Sequence, residues 1–252
     1  FAGDRSDERI ERIASWIELP SALLDLDAGD TTIGHVDSTG KAPWGYMQDV
    51  ADTEAGVLFI GTTGLVTLHN RTRGYGSSAA VDVSVSAEVI DPGVRLSSGI
   101  AGVVNDITVS RPGGATVRVV DSVSVSTYGV LGEAIDTIGD SDLDALNRAN
   151  WELATRSTPV VKLPELTLDG LTEPASAADV RALDIGSRIE VTDLPAQAPE
   201  SIADLRVQGY TERIGAGGWT VTANTTPYLA VTSLILDDPV RGLLDSGNVL
   251  AY

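Results

Sequence analysis

The chain has 252 residues, 42% of them hydrophobic, which is enough to bury one large or two small cores. Its net charge of -19 repels nucleic acid and anionic lipid, so a role that grips DNA is disfavoured. The absence of cysteine excludes disulfides, thiolate metal sites and cysteine nucleophiles. No apolar run approaches the ~20 residues of a membrane helix, so no membrane-spanning segment is predicted. Because the chain begins at Phe1 rather than Met, we expect the polypeptide to continue upstream.

The N-terminal residues predict a helix that packs through one apolar stripe. The stripe has the spacing i, i+3, i+4, i+7 and consists of Ile10, Ile13, Ala14 and Ile17. Ser6 is the predicted N-cap, and Pro20 ends the helix.

A second helix and a hairpin follow. Residues 43–54 carry proline at the first helical position and an apolar face, and Gly56 suits the C-terminal stop. Residues 57–60 and 65–69 are the predicted strands, joined by the turn 61–64. Residues 1–71 are therefore predicted to form a small α+β domain.

The hydrophobic pattern changes to the two-residue period of β-strands after a predicted linker at residues 72–80. Residues 81–252 are predicted to form a β-rich, barrel-like or sandwich domain, with a further split near residue 170 as an alternative. Its predicted strands are 81–85, 103–110, 115–121, 123–128, 160–168, 188–192, 205–214, 219–224 and 231–236. A single inserted helix is predicted from the capping-box spacing of Ser141 and Asp144. The predicted fold class is α+β, predominantly β.

Three tryptophans fall in the predicted helices. They are Trp16, Trp44 and Trp151. We expect structural roles for all three and burial for Trp44 and Trp151.

The two histidines are the first candidates for chemistry. His35 lies among Asp27, Asp30 and Asp37, a composition that suits a divalent metal, but the spacing lacks the register of a calcium-binding loop. Turn formation explains this cluster better. His69 lies in a predicted hairpin strand, where a structural role is favoured over that of a general base. The sequence contains no zinc-protease motif, nucleophile elbow or phosphate-binding loop. We therefore predict no catalytic, cofactor-binding or metal-binding residues, no cofactor and no enzyme activity.

Aromatic residues leave a second function open. Tyr210 and Trp219 lie in adjacent predicted strands and, with Tyr228, are the candidates for an exposed aromatic row. Such a row would indicate a β-sandwich module that binds host cell-wall carbohydrate. Core or cross-strand packing is the alternative reading of Tyr210 and Trp219.

Three stretches of the chain, taken in order, carry a resemblance to a known class of proteins. The first, residues 9–26 with 56–71, contains a helix, the element Asp-Leu-Asp-Ala-Gly and a hairpin that begins Gly-Val-Leu-Phe-Ile. The second is Val-Asn-Asp-Ile-Thr-Val-Ser-Arg-Pro-Gly-Gly at 104–114, followed by the helix that carries Trp151. The third is Val-Gln-Gly-Tyr-Thr-Glu-Arg-Ile at 207–214, which runs into residues 219–222.

Together, the three stretches resemble minor tail or baseplate tail-hub proteins of actinobacterial long-tailed phages and prophages. The resemblance implies a structural role in the virion. Tail hubs are typically homotrimers that form a ring below the tail tube and serve tail assembly and genome delivery. The implied partners are the distal tail protein, the tape-measure protein and other tail-tip subunits, and the implied location is the tail tip or baseplate. DNA must pass such a ring without binding. We therefore expect no specific nucleic-acid binding and an acidic inner face, drawn from segments such as 136–144 or 200–204.

Overall fold

A computed structural model describes residues 2–73, 79, 81–84, 97, 99–171, 174–194, 196, 198 and 201–228. Within them the chain divides into two compact units. Unit 1 comprises residues 2–73 and 100–158, and unit 2 comprises the described residues of 79–99 and 159–228. This division differs from the predicted one, because residues 100–158 group with the N-terminal residues and not with the rest of 81–252. Most of the predicted linker, residues 74–78 and 80, lies outside the described residues.

The described residues contain helices in both units. They are α1 (Ser6–Trp16), α2 (Pro43–Glu54), α3 (Ser122–Tyr128), α4 (Asp142–Arg156) and α5 (Pro174–Ala182), with a 3₁₀ turn at Ser21–Leu23. No helix among them is long and apolar enough to cross a membrane.

Strands account for the larger share of the regular structure. They are β1 (Asp4–Arg5), β2 (Leu24–Leu26), β3 (Thr32–Ile33), β4 (Val57–Ile60), β5 (Val66–His69), β6 (Val81–Ser84), β7 (Asp106–Ser110), β8 (Val117–Val120), β9 (Gly132–Asp136), β10 (Glu165–Asp169), β11 (Arg188–Thr192), β12 (Ala203–Gly215) and β13 (Gly218–Pro227). The predicted class, α+β and predominantly β, is confirmed.

The N-terminal part of unit 1 packs α1 and α2 beside a three-stranded sheet. The sheet has the order β2-β5-β4, in which β5 is parallel to β2 and antiparallel to β4. The stripe of α1 is buried at Ile10, Ile13 and Ala14, as its spacing predicts, but Ile17 is half exposed. Ser6 is not the N-cap. It is the first residue of the helix, and its fully buried hydroxyl donates a hydrogen bond to Glu54.

Helix α2 and the hairpin appear where the sequence predicts them. The helix begins at Pro43 and ends where Ala55 adopts a left-handed conformation, with φ at 58°. The prediction that Trp44 is buried is wrong, because its side chain is 37% exposed. The face of α2 that enters the core instead carries Tyr46, Met47, Val50 and Ala51.

The second part of unit 1 is a three-stranded sheet covered by α4. The strand order is β8-β7-β9, with β7 parallel to β9 and antiparallel to β8. Ile107 and Val109 of β7 pack against Ala145 and Ala149 of the helix. The capping box is confirmed, since Ser141 Oγ accepts the Asp144 N–H at 3.1 Å and the Asp144 carboxylate accepts the Ser141 N–H at 3.2 Å.

The strand predicted at 123–128 is wrong, because these residues form α3. Its Val-Ser alternation has the period of a strand, but the carboxylate of Asp121 accepts the N–H groups of Val123 and Ser124, each at 3.0 Å. This N-cap starts a helix where local pattern favours a strand. The only side chain that α3 buries is that of Ser124, while Val123 is 74% exposed.

Unit 2 is built on a five-stranded sheet of order β10-β13-β12-β11-β6. Its strands confirm those predicted at 81–85, 188–192, 205–214 and 219–224 within a few residues at their ends, whereas the strand predicted at 160–168 begins only at Glu165. Helix α5 was not predicted, so the expectation of a single helix after residue 81 is wrong. The predicted strand 231–236 lies outside the described residues. One apolar cluster, which includes Leu166, Ile189 and Leu205, forms the core of this unit.

Candidate functional site

A network of polar contacts joins the loop at residues 27–31 to the segment 70–73 that follows β5. The Asp27 carboxylate accepts the Asn70 N–H at 3.2 Å and an Arg73 guanidinium N–H at 2.5 Å. In return, the Asn70 amide donates to the Ala28 carbonyl at 2.8 Å. Thr72 donates to the Asp30 carboxylate at 3.1 Å. We call this pair of segments the loop clamp, and it fixes where the chain leaves the N-terminal part of unit 1.

A buried carboxylate lies beneath the loop clamp. Glu54, at the end of α2, is fully buried and accepts hydrogen bonds from Ser6 Oγ at 2.9 Å and from the Thr31 N–H at 2.8 Å. The Arg71 guanidinium lies 4.0 Å from the same carboxylate and is itself buried. Gly29 allows the loop to approach, since a Cβ at this position would lie 1.9 Å from Ser6 Oγ. We call Ser6, Thr31, Glu54 and Arg71 the Glu54 cluster.

A second buried charge anchors α1. The Arg9 guanidinium is buried and donates to Asp4 Oδ2 at 2.9 Å, to Tyr46 Oη at 2.7 Å and to the Ile33 carbonyl at 3.2 Å. Arg12 also donates to Asp4, at 2.7 and 2.8 Å, and is the largest cause of a lowered Asp4 pKa, with Arg9 a further cause. Each group in this network is paired, so the network suits a framework role rather than proton transfer.

The acidic residues around His35, considered above as a metal loop, do not come together as one site. Asp27 and Asp30 are engaged in the loop clamp, whereas His35 and Asp37 are exposed. The Asp37 carboxylate bonds to Thr39, which lowers the pKa of Asp37. Within the described residues, no three His, Asp or Glu side chains are grouped so that they could hold a metal ion.

His69 has a packing role. Its ring is buried and meets the ring of Phe59 edge to face, with centroids 4.9 Å apart. This pair spans β4 and β5 and closes one side of the hairpin.

The candidate sugar platform is not on the surface. Trp219 is 8% exposed, and the Arg181 guanidinium lies 5.4 Å from the centre of its ring. Tyr210 pairs with Ala223, whereas Trp219 pairs with Ile214, so the two aromatic residues are not cross-strand partners. Burial raises the pKa of Tyr210, and the carboxylates of Asp184 and Glu212 raise it further. Tyr228 is also buried. These three residues therefore form no exposed aromatic row.

A cleft of about 500 Å³ lies in unit 1 between α2 and the ends of β7 and β9. It is lined by Asp49, Asp52, Thr53, Ser110, Arg111, Pro112, Asp136, Thr137 and Ile138. Three aspartates against one arginine make the cleft net negative, which disfavours an anionic ligand. Two of these acids have partners, since Asp49 pairs with Lys41 at 2.6 Å and Ser110 donates to Asp136.

Some of the carboxylates in the acidic segment 136–144 are engaged in contacts within unit 1. Asp142 pairs with Arg111 at 2.6 Å, and this hydrogen bond is the main cause of a lowered Asp142 pKa. Asp144 completes the capping box of α4 with Ser141, and its carboxylate accepts a hydrogen bond from the Thr32 hydroxyl at 2.8 Å. Of the second acidic segment, residues 200–204, the described part contributes Asp204, which pairs with Arg188 at 2.8 Å.

Apolar side chains are exposed around α3. Val120, Val123 and Val130 are 43%, 74% and 65% exposed, and Tyr128 is 37% exposed. The helix is held from beneath by Asn105, whose amide donates to Ser124 Oγ at 3.1 Å and to the Gly129 carbonyl at 2.9 Å. Ser124 therefore faces inward, whereas Val123 faces solvent and Val125 is half-buried.

Sequence reasoning did not identify Arg9, Glu54 or Asn105 as buried. A signal was present for two of them. Arg9 lies four residues before Ile13, and Glu54 lies four residues after Val50, so each falls on the buried face of its helix. Asn105 precedes β7 and has no such periodic signal.

Comparison with known proteins finds similarity in structure. No protein-family model matches the chain, and no curated protein matches it. Among solved structures, the chain is similar to the 43 kDa tail protein of prophage MuSo2 from Shewanella oneidensis, with a TM-score of 0.55 and 15% identity. A tail protein from Neisseria meningitidis MC58 gives a TM-score of 0.59 at 10% identity. A chain from the virion of a native gene transfer agent gives 0.54 at 14% identity.

The similarity extends over nearly all of this chain but not over all of the other proteins. It covers 90%, 88% and 89% of this chain, and 64%, 66% and 48% of the three proteins in the same order. The chain thus spans between about half and two thirds of their length. At 10–15% identity the comparison establishes that the chain shares the fold of these proteins.

Proposed function

We propose that this chain is a structural component of a phage-type tail, in the hub at the tail tip, of the kind carried by actinobacterial long-tailed phages. The observation that carries the proposal is the shared fold over about nine tenths of the chain with proteins described as tail or virion proteins. The order of the three sequence stretches that resemble tail hubs supports it independently.

The chemistry of the described residues fits a structural role. The buried charged groups Arg9 and Glu54 are engaged in networks that hold loops and helices. Of the aromatic residues that a carbohydrate-binding module would expose, Trp219 and Tyr228 are buried and Tyr210 is half-buried. A framework of this kind provides surfaces for neighbouring subunits, and the exposed valines around α3 are available for such contacts.

In the proposed hub, the chain forms a homotrimeric ring below the tail tube and contacts the distal tail protein and the tape-measure protein. Its inner face is acidic, so DNA passes without being retained by counterion release. The net charge of -19 supports this part of the proposal.

Native mass spectrometry of the purified protein tests the ring. A trimer, with a ring in negatively stained images, is the expected result. A protein that stays monomeric, both alone and with the distal tail protein, would contradict the proposed hub.

A DNA-binding titration tests the acidic face. We expect no shift of duplex DNA at physiological salt. Binding with a steep salt dependence would show that a basic surface dominates and would reject the proposed lumen.

A further inference from the structure

The Glu54 cluster contains polar atoms that the protein itself does not satisfy. Thr31 Oγ1 and two guanidinium nitrogens of Arg71, Nε and Nη1, are buried and have no hydrogen-bond partner. Both residues are at least 96% buried. Buried donors without partners are costly, and in native proteins they are usually satisfied by an internal water or a bound ion.

The distance between the Arg71 guanidinium and the Glu54 carboxylate indicates how these two groups are connected. Arg71 Nε and Glu54 Oε1 are 4.0 Å apart, which is too far for a direct hydrogen bond. Two atoms at this separation can each lie about 2.8–3.0 Å from one bridging oxygen. Thr31 lies beside the same carboxylate, because its backbone N–H donates to Glu54 Oε2 at 2.8 Å, and its hydroxyl is buried without a hydrogen-bond partner.

The charges of Glu54 and Arg71 determine which kind of ligand can bind between them. The Glu54 carboxylate would repel an anion, and the Arg71 guanidinium would repel a cation, so an ion of either sign meets a like charge. A water molecule can accept the Arg71 N–H, donate to Glu54 Oε1 and form a third bond to Thr31 Oγ1. Three hydrogen bonds are typical of an internal water.

We infer that the Glu54 cluster is an internal water-binding site that links four parts of unit 1. Ser6 belongs to the first turn of α1, Thr31 to the loop, Glu54 to the end of α2 and Arg71 to the segment after β5. The bound water gives Arg71 Nε and Thr31 Oγ1 a hydrogen-bond partner beneath the loop clamp and connects residues 70–73 to the loop. The site is independent of the proposed tail function.

A high-resolution crystal structure of the wild-type chain tests the site. We expect an ordered water within hydrogen-bond distance of Arg71 Nε, Glu54 Oε1 and Thr31 Oγ1. A direct Arg71–Glu54 contact without a water, or a bound buffer anion, would overturn the inference.

Magnetic relaxation dispersion of water ¹⁷O gives a second readout in solution. Arg71→Met is expected to lower the number of long-lived internal waters by at least one relative to wild type. Lys41→Met is the control, because Lys41 is a half-exposed basic residue of unit 1 that lies outside the loop clamp and the Glu54 cluster, and the number of internal waters should stay as in wild type. An unchanged number in a folded Arg71→Met variant would count against the site, and if this variant does not fold, the wild-type crystal structure decides.

Discussion

Unit 1 and unit 2 bury different kinds of side chain. In unit 2, one apolar cluster packs on the five-stranded sheet, and Thr225 is the only buried polar residue among those described. Unit 1 divides its apolar residues between two clusters and buries Arg9, Glu54, Arg71 and Asn105 beside them. Apolar packing is nondirectional, whereas buried polar groups require specific partners. The comparison suggests that unit 2 gains its stability from packing, while unit 1 uses polar networks to fix its loops.

Arg9→Met should give the largest loss of stability. The variant removes three kinds of partner at once and leaves Asp4 and Tyr46 with fewer bonds, at a cost of about 3–5 kcal/mol. Arg12→Met is the matched control, because Arg12 also pairs with Asp4 but is about one third exposed, and a smaller cost is expected. Hydrogen exchange should show the loss in α1 and α2, with β12 and β13 protected as in wild type. Equal costs for the two variants would remove the distinction between buried and peripheral arginines.

Leu205→Ala is the corresponding change in unit 2. Leu205 is fully buried in the apolar cluster, so the variant should lose about 3 kcal/mol, mainly through the cavity it leaves. Leu171→Ala, at a position 59% exposed, should change stability little. Hydrogen exchange of the amides in β12 and β13 under increasing denaturant reports on this unit. A loss below about 1 kcal/mol for Leu205→Ala would show that the cluster is loosely packed.

Asp121→Ala tests the local origin of α3. Loss of the N-cap should cost about 1 kcal/mol and increase amide exchange in residues 122–128. Asp140→Ala removes an exposed carboxylate of unit 1 that is not a helix cap and serves as the control. If α3 keeps its wild-type exchange rates without Asp121, the Asn105 contacts alone hold the helix.

The smallest expected effect is a loss of stability at acidic pH that is confined to unit 1. The pKa of Asp4 is lowered from its ordinary value of 3.8, with the Arg12 hydrogen bond as the main cause. A lowered folded-state pKa contributes stability above pH ~4, and this contribution is lost as the pH falls further. The denaturant concentration at which half of unit 1 is unfolded should therefore decrease as the pH is lowered below about 4. Asp4→Asn should make this decrease smaller. An equal fall in Asp4→Asn would assign the effect to other carboxylates.

The elements with strong local signals were predictable from the sequence. Helix α2, the hairpin of β4 and β5, and the capping box of α4 each combine a periodic apolar pattern or cap with a turn residue, and the structure has them where expected. Local information was sufficient for these elements because their defining contacts join residues only a few positions apart.

Helix α3 and the Glu54 cluster could not be predicted in the same way. The Val-Ser alternation of α3 favours a strand. The Asp121 cap that opposes it is local, but the Asn105 side chain that holds the helix in place lies 19 residues before Ser124. The Glu54 cluster joins residues 48 positions apart in the chain, so no short motif records it. The grouping of residues 100–158 with the N-terminal part is a tertiary feature of the same kind.

Cryo-electron microscopy of native particles that contain this protein tests its proposed role most directly. The account predicts density that fits the fold of both units in a three-fold ring at the tail tip, with a net acidic inner surface. A position of the chain away from the tail would contradict the assignment as a structural tail component.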